Sequence, residues 1–182
     1  MFFLRKSRLE RLPVVMSGVR MGERVLQIGV DDPALAGAIA SKVGLSGHSA
    51  IAVTTEAAAA TARDAASTAG ALTDIHVAPF DALPLADGSF DVLVLHANGV
   101  DTTLDGAGGL AMLRQAHRVL RPGGRLIVIA GGRRGLIARF GGAGPAGDAG
   151  TTIAALNAAG LRPARLLAER EGYRFIEGLK PQ

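Results

Sequence analysis

Short runs of Val, Ile and Leu alternate along the chain with longer, alanine-rich stretches of helical length. This pattern predicts strands over Arg24–Ile28, Ala50–Thr54, Asp74–Val77, Asp91–His96 and Arg125–Ala130. Helices are predicted between them, over Pro33–Val43, Glu56–Ala69, Ala107–Leu120 and Gly147–Ala159. The runs Asp91–Leu95 and Leu126–Ile129 do not alternate polar with apolar residues, so each such strand is expected to be covered on both faces. Parallel strands with helices on either side follow, an α/β architecture.

The residues between these runs punctuate them. Asp32-Pro33 is a helix start, with Asp as N-cap and Pro in the first turn. Arg121-Pro-Gly-Gly124 is expected to stop a helix and turn the chain into the next strand. Near the C-terminus, Arg165–Glu169 and Tyr173–Glu177 are strand-like and separated only by Arg170-Glu171-Gly172, a connection short enough only for an antiparallel hairpin. The sheet is therefore expected to be mostly parallel with one reversed strand. Eight glycines in the twenty residues Gly131–Gly150 read as a loop. There is no internal repeat and no linker.

Composition narrows the chemistry. A length of 182 residues suits one domain, and the absence of cysteine excludes disulfides, thiolate metal sites and a cysteine nucleophile. No His pair has metal-ligand spacing, so no metal site is expected. No apolar run reaches the ~18 residues that span a bilayer, and the first residues lack the apolar stretch of a signal peptide, so a cytoplasmic protein is expected. The net charge of +4 is uneven. Residues 1–24 hold six basic and two acidic side chains; residues 25–111 hold two and ten; residues 112–182 hold twelve and four. With six Phe, one Tyr and no stripe that interleaves them with basic residues, there is no strong nucleic-acid signal. The chain divides into a basic N-terminal segment over 1–24 and an α/β domain over 25–182. Phe2, Phe3, Leu4, Leu9 and Leu12 beside the basic residues permit an amphipathic helix ending at Pro13. Such a helix would cap a cleft, or touch an anionic membrane surface.

Gly22-Glu-Arg-Val-Leu-Gln-Ile-Gly29, Leu83-Pro-Leu-Ala-Asp-Gly-Ser-Phe-Asp91 and Arg118-Val-Leu-Arg-Pro-Gly-Gly124 resemble, in order and spacing, the class I S-adenosylmethionine-dependent methyltransferases, in particular the small bacterial type 11 group. The resemblance covers about residues 20 to 180. It implies a Rossmann-like doubly wound sheet of seven strands in the order 3-2-1-4-5-7-6, strand 7 antiparallel, with S-adenosylmethionine as cofactor.

In that family the first strand ends in acid-x-Gly-x-Gly-x-Gly, but this chain reads Gln27-Ile-Gly29-Val-Asp31-Asp32-Pro33. Gln27 stands where the acid belongs, and Gly29 is the one glycine kept. The second strand ends in Thr54 instead of the acid that holds the ribose hydroxyls. Pro79 takes the register of an adenine-binding acid, and Asp81 follows two positions later beside Phe80. The resemblance thus implies cofactor-binding roles for Gln27, Gly29, Asp31, Thr54, Phe80 and Asp81. Asp31 and Asp32 face an ammonium or sulfonium, or cap the helix. Two carboxylates there would repel a pyrophosphate, which argues against a dinucleotide. His96, at the end of the fourth strand, is the candidate general base, or else lines the pocket. His48, His76 and His117 are weaker candidates. Arg133, Arg134 and Arg139 in the glycine-rich loop could meet an anionic acceptor.

Methyl transfer asks mainly that the acceptor be held in line behind a sulfonium methyl, so no catalytic dyad need be visible. The first reading is therefore methyl transfer to an unidentified small-molecule or macromolecular acceptor. The alternative is a catalytically inactive protein of the same fold serving as a binding or scaffolding module, motivated by Gln27, Asp31, Pro33, Thr54 and Pro79. A homo-oligomer is compatible with either.

Overall fold

The structure, a computed structural model, describes residues 11–98, 104, 106–131 and 148–182. Its elements run α1 (Leu12–Met16), β1 (Arg24–Ile28), α2 (Pro33–Val43), β2 (His48–Val53), α3 (Glu56–Ala69), β3 (Asp74–Val77), β4 (Phe90–His96), α4 (Gly106–Val119), β5 (Leu120–Gly131), α5 (Ala149–Ala158), β6 (Ala164–Arg170) and β7 (Tyr173–Leu179). The seven strands form one sheet in the order β3-β2-β1-β4-β5-β7-β6. β7 runs antiparallel to both β5 and β6, while the remaining pairs are parallel. The α/β class, the strand order and the reversed last strand are those expected from the sequence.

Strand periodicity sorts the core into two faces. Val25, Val92, Val94, Ile127, Ile129 and Phe175 point toward α1 and α2, where Val14, Val19, Leu35 and Ile39 meet them. Leu26, Ile28, Leu93, Leu95, Leu126 and Ile176 point the other way, toward Leu113, Ala116 and Val119 of α4 and Leu156 of α5. α3 lies beside α2 and packs Ala59 and Ala62 on Ile51 and Val53. The α2–α3 contact is tight because Gly37 has no side chain; a Cβ there would stand 2.5 Å from the Ala65 carbonyl oxygen.

Several boundaries differ from expectation. β2 begins at His48 and stops at Val53, leaving Thr54 just beyond the strand. α4 ends at Val119, and β5 begins at Leu120, which pairs with Phe90 before the register shifts and resumes at Val92–Arg125. Arg121-Pro-Gly-Gly124 is therefore an irregularity inside the pairing, not a turn ahead of it. Pro13 sits in the first turn of α1, so it opens a helix instead of ending one. Phe2, Phe3, Leu4 and Leu9, like Arg133, Arg134 and Arg139, lie outside the described residues.

Candidate functional site

The C-terminal ends of β1, β4 and β5 meet at the point where the chain order reverses, between β1 and β4. After β1 the chain turns at Gly29, whose φ of +83° is the left-handed region that glycine adopts without a Cβ penalty. Its N–H donates to the Ala52 carbonyl at 3.0 Å, which fixes the turn to β2. α2 then starts. The Asp32 carboxylate accepts from the Leu35 N–H at 3.0 Å as its N-cap, and it also pairs with the Arg11 guanidinium at 3.0 Å. The neighbouring Asp31 carboxylate accepts from the Asn98 N–H at 2.9 Å.

Asn98 does more than that. Its side-chain amide donates to the Gly131 carbonyl at 2.8 Å and accepts from the Gly131 N–H at 2.6 Å. The pair adds one rung to the β4–β5 ladder beyond the last backbone pairing, His96–Ile129.

These groups surround a cavity of about 610 Å³. Asp31, Asp32, Pro33 and Leu35 form one wall, and His96, Asn98, Ile129 and Gly131 form another. Arg11 and Tyr173 close the third side. Tyr173 arrives there because β7 is antiparallel to β5, so its first residue pairs with the last of β5, Gly131. Among the described residues the lining combines two carboxylates, one guanidinium and apolar side chains, a set that matches a ligand bearing both charges and an apolar part.

His96 is only 2 % exposed. Burial pushes its imidazole down to about 4, with the charge of Asp32 acting in the opposite direction. The ring is therefore neutral at physiological pH. Its Nε2 lies 2.9 Å from Gln27 Oε1, and Gln27 Nε2 donates to the Ala36 carbonyl at 3.0 Å.

The structure thus brings Gly29, Asp31 and His96 together at one edge and sets Gln27, which is fully buried, behind the wall instead of on it. Thr54, Phe80 and Asp81 stand at the ends of β2 and β3. Thr54 is half-buried, and Phe80, 7 % exposed, is packed in the core face shared with Leu83 and Leu95. Asp81 is exposed in a turn closed by the Ala82 N–H on the Pro79 carbonyl. The other histidines lie elsewhere: His48 at the start of β2 against Phe90, His76 on edge strand β3, and His117 half-buried on α4. Among the described residues no group of three or more His, Asp or Glu could hold a metal ion. Arg11, Asn98 and Tyr173 were not anticipated as site residues. The position of Tyr173 is implied by a reversed strand beside β5, but nothing local in the sequence marks Arg11 or Asn98.

A search of solved structures finds this fold widely. The chain superposes on a SAM-dependent methyltransferase from Aquifex aeolicus with a TM-score of 0.74, at 18% identity, over 92% of this chain and 87% of that one. It superposes almost as well on the [4+2]-cyclase SpnF, with a TM-score of 0.69 and 19% identity over 94% and 80%. At these identities the likeness shows the fold alone, and the second shows that the fold hosts other chemistry. In sequence, the chain is 34% identical over 122 residues to the ubiquinone/menaquinone biosynthesis C-methyltransferase UbiE of Teredinibacter turnerae. That alignment covers 66% of this chain and 47% of the relative, so the chain spans about half the length of the curated relatives it matches. The family described as a methyltransferase domain matches residues 33–128, more than half of the chain and the stretch that builds α2 through β5. By that match, carried on the seven-stranded sheet described above, the chain belongs to the methyltransferase-domain family.

Proposed function

We propose that this chain transfers a methyl group from S-adenosylmethionine to an acceptor held at the cavity between α2, β4 and β5. The observation that carries this reading is the charge pattern of that cavity: carboxylates at the start of α2 facing a guanidinium, with a buried neutral imidazole on the opposite wall. The donor set fits the cofactor. An amino acid end with one ammonium and one carboxylate, beside a sulfonium, meets Asp31 on one side and Arg11 on the other, and the site asks for no phosphate. Gly29 lets the backbone approach, and Thr54 and Asp81 stand along the ends of β2 and β3 where the nucleoside part belongs in this family. Phe80 supports that edge from within the core. When bound, the cofactor supplies an electrophilic methyl group on sulfur.

The chain's own contribution is positioning. Asp32, capped onto α2 and paired with Arg11, holds the turn in place; Ile129, Leu35 and Tyr173 exclude water from the acceptor side. His96, neutral and facing the cavity, acts toward the acceptor as proton acceptor. Arg11 lining the cavity supports the reading of residues 1–24 as a segment that covers the cleft. No described helix is long and apolar enough to cross a membrane; with the bacterial relatives, the reading is of a bacterial enzyme working in the cytoplasm.

Calorimetric titration with S-adenosylmethionine and S-adenosylhomocysteine tests the proposal. Both are expected to bind, and Asp31→Asn to weaken binding by about tenfold, as for the loss of a hydrogen bond to a charged group. Neither heat nor a thermal shift at millimolar ligand would refute methyl transfer and leave the binding or scaffolding alternative.

A further inference from the structure

The amide of Gln27 occupies the place of the family's acid, and the hydrogen bonds around it state why an amide is there. The Ala36 carbonyl can only accept, so the Gln27 atom facing it at 3.0 Å is the NH2 group. The atom facing His96 at 2.9 Å is then the amide oxygen, which also can only accept. The proton of the neutral imidazole must therefore sit on Nε2. Nδ1 is left bare. Among the described residues no side-chain nitrogen or oxygen sealed from solvent lacks a hydrogen bond, and Nδ1 has none to any of them. Nδ1 is consequently not sealed, and the surface that His96 presents is the cavity wall.

We propose that Gln27 fixes His96 as its Nε2–H tautomer and so aims Nδ1 into the cavity as acceptor for an O–H or N–H carried by the methyl acceptor. The proposal rests on the reading of this cavity as the methyl-transfer site. It makes Gln27 a positioning residue, acting through His96, and it narrows the acceptor to hydroxyl- or amine-bearing compounds.

The side chain at 27 has to donate on one side and accept on the other. A carboxylate could not donate to Ala36, and it would draw a proton onto the imidazole, abolishing the lone pair at Nδ1. A leucine at this fully buried position would leave both partners unmatched. Among the described residues, the charged and titratable groups that line the same cavity from other elements are Asp31 and Asp32 at the start of α2, Arg11 ahead of α1 and Tyr173 of β7. The Arg11–Asp32 pair at 3.0 Å offsets one of the two negative charges.

The test is long-range proton–nitrogen correlation NMR on the full, nitrogen-labelled chain. It holds four histidines, and His96 is assigned by the signal lost in His96→Asn. At neutral pH, His96 is expected to show protonated Nε2 and bare Nδ1, in an excess of about tenfold or more over the other tautomer. In Gln27→Leu that preference is expected to collapse toward a mixture. A wild-type ring protonated on Nδ1 overturns the proposal, and this measurement decides even if Gln27→Leu does not fold. A preference unchanged in a folded Gln27→Leu also overturns it.

Phenol and anisole, the same ring with and without the O–H, probe the acceptor class. Phenol is expected to shift Nδ1 toward the hydrogen-bonded position while anisole does not; an equal response, or none, overturns it. Calorimetry with S-adenosylmethionine on the same samples separates the two readings. Loss of cofactor binding alongside the expected tautomer would refute methyl transfer and spare the Gln27–His96 relation.

Discussion

Burial decides the chemistry of His96. Its ordinary pKa of 6.5 falls to about 4 in the fold because the charged ring would lose its hydration, so the folded chain takes up this proton only in acid. Above pH 6.5 the ring is neutral folded and unfolded, and His96 does not affect stability. Between 6.5 and about 4 the unfolded chain binds a proton that the folded chain refuses, so stability falls as pH falls. The whole interval corresponds to roughly 3 kcal/mol. Urea denaturation of wild type and His96→Asn at pH 7 and pH 4.5 is expected to show a steeper acid loss in the wild type. Equal losses would refute a depressed pKa. At this scale the sequence was legible for side chains whose role is local. Asp32 as a cap and Gly29 as a turn residue are set by their neighbours in the chain. Gln27 was not legible, because its meaning depends on Ala36 and on His96, 69 positions away.

The elements hold one another through backbone groups that the strand ladders leave unpaired. Arg118, at the end of α4, donates to the carbonyls of Leu83 at 2.9 Å and Leu85 at 2.7 Å and pairs with Asp87, while its own carbonyl accepts from the Gly88 N–H. Arg121 pairs with Asp91, whose other oxygen accepts from the Arg24 N–H. This explains why the stretches Leu83–Asp91 and Arg118–Gly124 occur together. One is the loop and the other is its clamp. Arg118→Ala removes several partly buried, charge-assisted bonds at once and is expected to destabilise the fold by about 1–3 kcal/mol. Amide exchange should rise over residues 83–88 in particular; a uniform change along the chain would contradict the clamp. Strand and helix interiors were readable from periodicity, but the ends were not. Leu120 pairs with Phe90 across the Arg-Pro-Gly-Gly letters that spell a turn, since tertiary pairing outweighs local turn preference there.

For the molecule as a whole, the acidic and basic parts of the chain are complementary. Arg118 and Arg121 from the basic region reach Asp87 and Asp91 of the acidic one, and Arg125 reaches Glu23 at 3.1 Å. The stretch ahead of β1 is equally bound in. Val14 and Val19, 0% and 1% exposed, share a core face with Val25, Val92 and Phe175. Val14→Ala and Val19→Ala are therefore each expected to cost about 1–3 kcal/mol, like buried strand positions. Thermal denaturation unchanged in both would show this stretch to be dispensable. The cavity escaped the sequence for the same reason that it exists: Arg11 comes from near one end of the chain and Tyr173 from near the other, and only the strand order brings them together. Asn98, tied to Gly131 and Asp31, carries a consequence for divergence. It closes the ladder just where the chain leaves β4 and β5, so insertions or deletions beyond residues 98 and 131 can accumulate without slipping the register behind them. A lineage built on this sheet can thus exchange what surrounds the cavity while inheriting the geometry of its floor unchanged.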